Sequence, residues 1–251
     1  MHRTRYRTYS IFRFLAFLSA VLLYTGVLVA GEISREELMQ RLESADRDTP
    51  VNLTEVVLRD ADLAGVDFKG ANLRGADFKR STLSGADFSG ANLDLVILSE
   101  SDLRNASLEG ASVYGGVLPR ADFRGANLKG AKLLANLENS NFDGADMENL
   151  MAGANMGNQS MGLIRANLKN ASLAGANLKN ADLRVCDARF AKFIDANLEG
   201  ANLGQCDLRR ADFTGANMKR VNLSEARIAG AVFDNIKNGD SITGLDSAVG
   251  N

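Results

Sequence analysis

The sequence predicts an all-β solenoid, a stack of short extended pieces joined by corners, with one short helix over its first turn. Three observations predict it. Large apolar residues recur every five positions from Leu53 onward. A small residue stands two places before each of them, with Asn or Asp often between. Like residues then recur at intervals of twenty.

The first thirty residues stand apart. Arg3, Arg5, Arg7 and Arg13 make a basic start with no acid before Glu32, and Phe14 to Ala30 is a run of seventeen apolar or small residues. That is the pattern of a secretory signal's basic and apolar regions, with Ala30 as the cleavage position. Leu28 fits the usual small residue at −3 poorly, and seventeen residues lie at the lower limit for spanning a bilayer, so an uncleaved membrane anchor is the alternative. No cysteine follows the run, which excludes a lipoprotein, and there is no Arg-Arg pair for twin-arginine export. Residues 31–50 carry the helix. Ser34 with Glu37 reads as a capping box, and Leu38, Met39 and Leu42 form an apolar stripe, which predicts a helix over about 35–45.

The repeat occupies residues 51–235. Seventeen unbroken centres run from Leu53 to Leu133, and fourteen more from Leu168 to Phe233, with Ala188 the one weak centre. A period of five fits neither the 3.6 of a helix nor continuous strand alternation. In an extended piece, the small residue and the large centre face one side and the polar residue between them faces the other. The two remaining positions turn the corner, where glycines such as Gly65, Gly70 and Gly75 supply conformational freedom. Five residues bury no face alone, so the units must stack.

The A-(N/D)-(L/F)-x-G register over residues 51–235 resembles the pentapeptide-repeat proteins. The resemblance implies a right-handed quadrilateral β-helix of about nine coils, four pentapeptides to a coil. The sequence supports twenty residues per coil by itself: Phe193, Phe213 and Phe233 recur at that interval, as do Phe68 and Phe88. So do the only two cysteines, Cys186 and Cys206, which the coil model makes stacked core thiols in an inward small-residue ladder. Neighbours about 4.8 Å apart are wider than the roughly 3.5–4.5 Å that a disulfide wants between its Cβ atoms, so packed free thiols are the preferred reading and a disulfide the alternative.

Residues 134–167 break the count. Leu137, Phe142 and Met147 run one position early, Met156 another, and the first phase is back by Leu163 or Leu168. An irregular coil or a bulging loop is expected there. Met147, Met151, Met156 and Met161 cluster in it. Such thioethers suit Cu(I), but flexible methionines filling an irregular core is the preferred reading, and no metal or cofactor is expected. Beside it, five positions that should face outward are apolar: Leu95, Ile97, Tyr114, Val117 and Leu134. Ile97 and Val117 are twenty apart, as are Tyr114 and Leu134, so the model gathers them into a patch. The patch is a candidate partner surface, unless the irregular segment folds over it. Phe190, also outward, is expected to turn inward beside Ala188. Residues 236–251 lose the repeat and predict an irregular tail.

Composition removes whole classes of function. Beyond residue 30 the chain has no histidine and no tryptophan, and 25 Lys and Arg stand against 31 Asp and Glu, a net charge of −6. Without histidine the commonest general base and the commonest metal ligand are both missing, and no nucleophile–base pair is apparent, so no enzyme is expected. Net negative charge without a basic run argues against direct nucleic-acid binding. The expectation is a non-catalytic exported scaffold or protein-interaction module, with another protein as partner. Its compartment would be the periplasm or the exterior, or the thylakoid lumen, where the resemblance places exported relatives. Contact with a membrane is expected only through residues 1–30, if uncleaved. The alternative that the resemblance implies is a DNA mimic binding DNA gyrase, which requires that residues 1–30 are no export signal.

Overall fold

The computed structural model describes residues 33–43, 49–154 and 165–250. By internal contacts the chain divides into Met1–Glu32 and Ile33–Asn251. The signal or anchor expected over residues 1–30 lies outside the described residues, as do Met156, Met161 and Leu163. Among the described residues no helix is long and apolar enough to cross a membrane.

The expected all-β solenoid, a closed quadrilateral β-helix, is corrected by the sheet structure. Among the described residues the regular strands are two, β1 (Ser112–Val117) and β2 (Lys132–Asn136), and they pair in parallel as one small two-stranded sheet that neither closes nor curls. Everywhere else, pairing is by isolated single-residue bridges, as at Asn52 with Asn72, Asn72 with Asn92, and Asp187 with Asp207. The reason is the length of the unit. Two of its five residues turn the corner and two point inward, which leaves one outward residue per unit to bridge the next level.

One unit shows how these short pieces satisfy their backbone. In residues 86–90, the Asp87 amide donates to the Val66 carbonyl of the level before, at 3.0 Å. The Phe88 and Gly90 amides donate to Ser107 and Glu109 of the level after, at 2.7 and 2.8 Å. The Ala86 amide closes a turn onto Leu83 at 3.0 Å. The fifth amide, of Ser89, donates to the Asp87 side chain at 2.8 Å. Every donor is used, and the last bond explains why the outward residue is so often Asp or Asn.

Inside, the large centres stack from level to level. Phe68 and Phe88 lie parallel with ring centroids 4.9 Å apart, and Phe78 meets both edge-on at 5.8 and 6.1 Å. Phe193, Phe213 and Phe233 form a second stack at 4.9 and 5.1 Å. Where the small inward residue is serine, its hydroxyl takes a carbonyl of the preceding level, as Ser101 does from Phe78 at 2.7 Å.

The stack begins under helix α1 (Arg35–Glu43). Ser34 caps it through the Glu37 amide at 3.1 Å. Leu38 is fully buried, and the Arg35 guanidinium donates to the Asp62 carbonyl at 2.9 Å. After Phe233 the chain remains paired to the level before it. Lys237, Thr243 and Val249 bridge Asn217, Asn222 and Arg227, and two short 3-10 turns, Gly239–Ser241 and Leu245–Ser247, take up the extra residues. In the middle, the irregular segment resolves into two events. From Asn136 to Met151 the bridges span nineteen residues, and from there to residues 167–182 they span thirty-one, so the added length falls between Ala154 and Asn167.

Carboxylates fix the outer surface. In the recurrent Asp-x-Arg triplets, Asp102 and Asp122 each accept the backbone amide and the guanidinium of Arg104 and Arg124. Those guanidinium hydrogen bonds hold both carboxyls below the usual range. At Asp187 and Asp207 burial is the largest influence and pushes upward, but the combined hydrogen bonds and charges of Arg189 and Arg209 outweigh it.

Truncating Phe88 to Ala should remove about 3–5 kcal/mol from the unfolding free energy measured in urea; a loss under about 1 kcal/mol would mean that the ring stack contributes little. The lowered carboxyls make a second prediction. A group whose folded pKa lies below its unfolded value stabilises above the unfolded value, about 3.9 for Asp, and loses that contribution as pH falls through the folded one. Stability measured by thermal unfolding should therefore fall steeply below about pH 4, and the difference between wild type and Asp122→Asn should shrink over the same range. A wild-type profile that is flat down to pH 2.5 would contradict this.

Candidate functional site: an apolar patch at the strand pair

Four columns of bridged residues run along the stack, and one of them reads Val57, Asp77, Ile97, Val117, Asn136, Asn167, Asp187, Asp207, Arg227. Asp, Asn or Ser fills most outward positions of the four columns; here Ile97 and Val117 intrude. The strand pair lies beside them. Its partners are Ser112 with Lys132, Val113 with Leu133 and Tyr114 with Leu134, then Val117 with Asn136, so Gly115 and Gly116 face the single residue Ala135 in a bulge. A Cβ on Gly116 would lie 2.7 Å from Leu118 Cδ1 and 2.9 Å from Val113 Cγ1. A side chain there would force those two neighbours to shift, while Gly115 keeps the left-handed φ, 69°, of the other corners.

Around the bulge the structure places all five patch residues on adjacent levels. Tyr114, Leu95 and Val117 are 47, 46 and 42% exposed, and Ile97 and Leu134 are half-buried. The Leu95 amide donates to the Tyr114 carbonyl at 2.8 Å, and Ile97 bridges Val117. Beneath them the Asp94 carboxylate accepts from the Ser112 hydroxyl at 2.7 Å and the Tyr114 amide at 2.9 Å, which fixes the backbone that carries the ring. Leu95 itself has φ 61°. The left-handed corner suits Gly and Asn, and an aliphatic side chain there is strained.

Cys186 and Cys206 are free, buried thiols. The Cys206 Sγ donates to the Leu183 carbonyl at 2.8 Å, the bond that Ser101 makes to Phe78 on another column, and burial pushes the Cys186 thiol well above its ordinary value. Neither is poised as a nucleophile. Met147 is buried and Met151 exposed. Among the described residues no group of three or more His, Cys, Asp or Glu is placed to hold a metal ion.

The sequence reading missed one feature. A shallow cavity of about 340 Å³ is lined by Arg189, Phe190, Arg209, Arg210 and Ala229. Phe190 does not turn inward beside Ala188. It stays 42% exposed at φ 61°, with the Arg210 guanidinium carbon 5.6 Å from its ring centre. The signal was present in the twenty-residue register, where Arg189 and Arg209 are followed by Ala229.

The profile of pentapeptide repeats matches this chain in eight copies, over residues 52–90, 61–99, 82–118, 101–133, 163–200 and 191–230. No curated protein sequence matches it significantly. Among solved structures it is similar to HetL, a pentapeptide repeat protein involved in heterocyst differentiation regulation from the cyanobacterium Nostoc sp. strain PCC 7120. The identity is 26% over 86% of this chain and 96% of that one, with a TM-score of 0.33. It is also similar to full-length QnrB1, a plasmid-mediated fluoroquinolone resistance protein, at 22% identity, 72% and 92% coverage and a TM-score of 0.35. A pentapeptide repeat protein of the Arabidopsis thaliana thylakoid lumen matches at 24% identity, with 65% and 69% coverage and a TM-score of 0.14. The chain belongs to the pentapeptide-repeat family.

Proposed function

We propose that this protein is an exported scaffold that docks a protein partner on the patch of Leu95, Ile97, Tyr114, Val117 and Leu134. The observation that carries the reading is the coincidence, at one bulge, of three exposed apolar side chains with a strained left-handed Leu95. Most outward positions elsewhere hold Asn, Asp and Ser, which suit the turns and water, so folding alone does not ask for leucine or tyrosine here. The basic, then apolar start of the chain supports a site of action outside the cytoplasm.

A second reading, mimicry of duplex DNA toward DNA gyrase, has one observation in its favour. A single bridged column aligns Asp62, Asp102, Asp122 and Asp212, interrupted by Thr82, Asn141, Ser172 and Lys192. The weight against it is that Arg104 and Arg124 neutralise two of those carboxylates at 2.7 and 2.6 Å.

A photo-crosslinking residue at Tyr114 or Val117 in the native host should give one discrete adduct, while the same residue at Ser84 on another face should give none. Equal labelling of all three positions, or of none, would remove the patch as a docking site. Leu95→Asn should abolish the adduct with the melting temperature unchanged or raised, because Asn tolerates the left-handed corner better. Intact mass from separated cell fractions decides compartment. A species beginning at Gly31 in the soluble exported fraction agrees with the main reading, whereas the full-length chain in the cytoplasm, inhibiting supercoiling by purified gyrase, would establish mimicry instead.

A further inference from the structure

The column that carries Ile97 and Val117 continues through Asn136 and Asn167 to Asp187, Asp207 and Arg227. There the charge balance inverts. Arg165 and Arg189 pair with Asp187 at 3.5 and 2.7 Å, and Arg209 and Arg227 pair with Asp207 at 2.7 and 3.4 Å. Four guanidinium groups thus share two carboxylates. Arg210, with no ion pair among the described residues, adds a fifth cation against the Phe190 ring. The local balance is +3 in a chain that carries −6 beyond residue 30.

The geometry leaves donors to spare. Arg189 and Arg209 use Nε and one terminal nitrogen on their aspartates, a side-on fork that leaves the other terminal nitrogen of each without a carboxylate. Ala229, in register with Arg189 and Arg209, puts no guanidinium on the third level, and the cavity of about 340 Å³ opens there. Its walls are guanidinium edges and an aromatic ring. Planar, weakly hydrated guanidinium groups recognise carboxylates through paired N–H donors, and the ring offers a seat for an apolar group beside them. Phe190, like Leu95, is a bulky residue held at positive φ. Among the described non-glycine residues with positive φ, only Leu95, Val185 and Phe190 are apolar, and Val185 is buried. The two exposed ones mark the patch and this cavity.

We infer that the arginine cluster around Phe190 is a second subsite, binding an acidic segment of a protein partner through its carboxylates, with one apolar side chain seated on the ring. The inference rests on the docking reading above and extends it along the same column. Three bridging steps separate Val117 from Asp187, roughly 14–15 Å at about 4.8 Å each, a span that four or five extended residues cover. One segment can therefore reach both subsites. A long polyanion such as nucleic acid meets the net negative field of the whole chain, whereas a short acidic segment meets mainly the local positive one.

Fluorescence anisotropy with a labelled pentapeptide of alternating Glu and Phe, against its Gln counterpart, tests the cluster by itself. Crosslinking at Tyr114 tests the patch by itself, so either reading can fail without the other. The Glu peptide should bind the full chain at least about tenfold more tightly than the Gln peptide, and its affinity should fall several-fold between low and physiological salt. Arg210→Glu and, separately, Arg210→Ala should weaken it, the reversal by about tenfold or more. Phe190→Asn should weaken it without lowering the melting temperature. Equal binding of both peptides, or no response to either Arg210 variant, would overturn the proposal. Displacement of the Glu peptide by inorganic phosphate or a short DNA duplex at lower concentration than the free peptide requires would also overturn it, assigning the cluster to phosphate chemistry.

Discussion

A five-residue unit must satisfy five backbone amides, and the rest of this structure depends on how it does so. Two donate to one neighbour above, one to the neighbour below, and one closes the turn, as residues 86–90 show. The fifth has no carbonyl in reach, so a side chain of the outward residue supplies the acceptor, Asp87 for Ser89 and Asn92 for Asp94. A buried or half-buried amide without a partner is expensive. That makes Asn and Asp at the outward position a backbone requirement before they are a surface preference, and the same bond that fixes the turn brings every unit back into register with the one twenty residues on. Inward packing then follows. With levels held at a fixed spacing, like residues stack on like, and the phenylalanine rings lie nearly parallel because they have no other freedom.

A scaffold so constrained leaves few positions for function, and deviation is informative because the default is so uniform. Polar outward residues serve the turn. Charged residues after them are largely consumed in ion pairs, some along a level, as Asp102 with Arg104, and some between levels, as Asp60 with Arg80 at 2.6 Å. Exposed pairs of this kind contribute little stability each, but they neutralise much of the surface locally. What remains is the handful of places where an apolar side chain stands outward or charges do not balance, and two of them, the patch and the arginine cluster, lie along the Ile97–Arg227 column, with Met151 and Val232 on others.

Much of this was legible in the sequence, and the part that was not has physical causes. The unit could be read because its inward pair and outward polar residue repeat without exception over long runs, and the patch because Ile97 and Val117 break the rule one level apart. Strand content could not be read that way: five-residue periodicity specifies where side chains point, but a strand needs consecutive paired residues, and these occur where the step from Leu133 to Leu137 is four residues and two residues of β1 face one of β2. Phe190 misled for a related reason. Its position beside the small centre Ala188 suggested space to fill, yet a corner residue at φ 61° directs its side chain away from the core whatever vacancy lies behind it. The arginine excess was hidden because Asp-x-Arg triplets read as balanced when taken along the chain. Arg165, Arg210 and Arg227 join them only when levels are stacked.

The placement of strain sharpens the functional argument. A left-handed corner costs an ordinary residue about 1–2 kcal/mol, and many corners avoid that cost with Gly or soften it with Asn and Asp, although long polar residues such as Arg80, Glu100 and Arg120 also carry it. Leu95 and Phe190 do neither and gain no compensating burial, since both remain nearly half exposed. Val185 shows the contrast, for it occupies the same kind of corner and is 8% exposed, so packing offsets its strain. Leu95 and Phe190 lack that degree of burial, and Phe190 instead holds the Arg210 guanidinium carbon 5.6 Å from its ring centre. A covering partner, as proposed for the patch and the arginine cluster, would supply the missing burial at both corners.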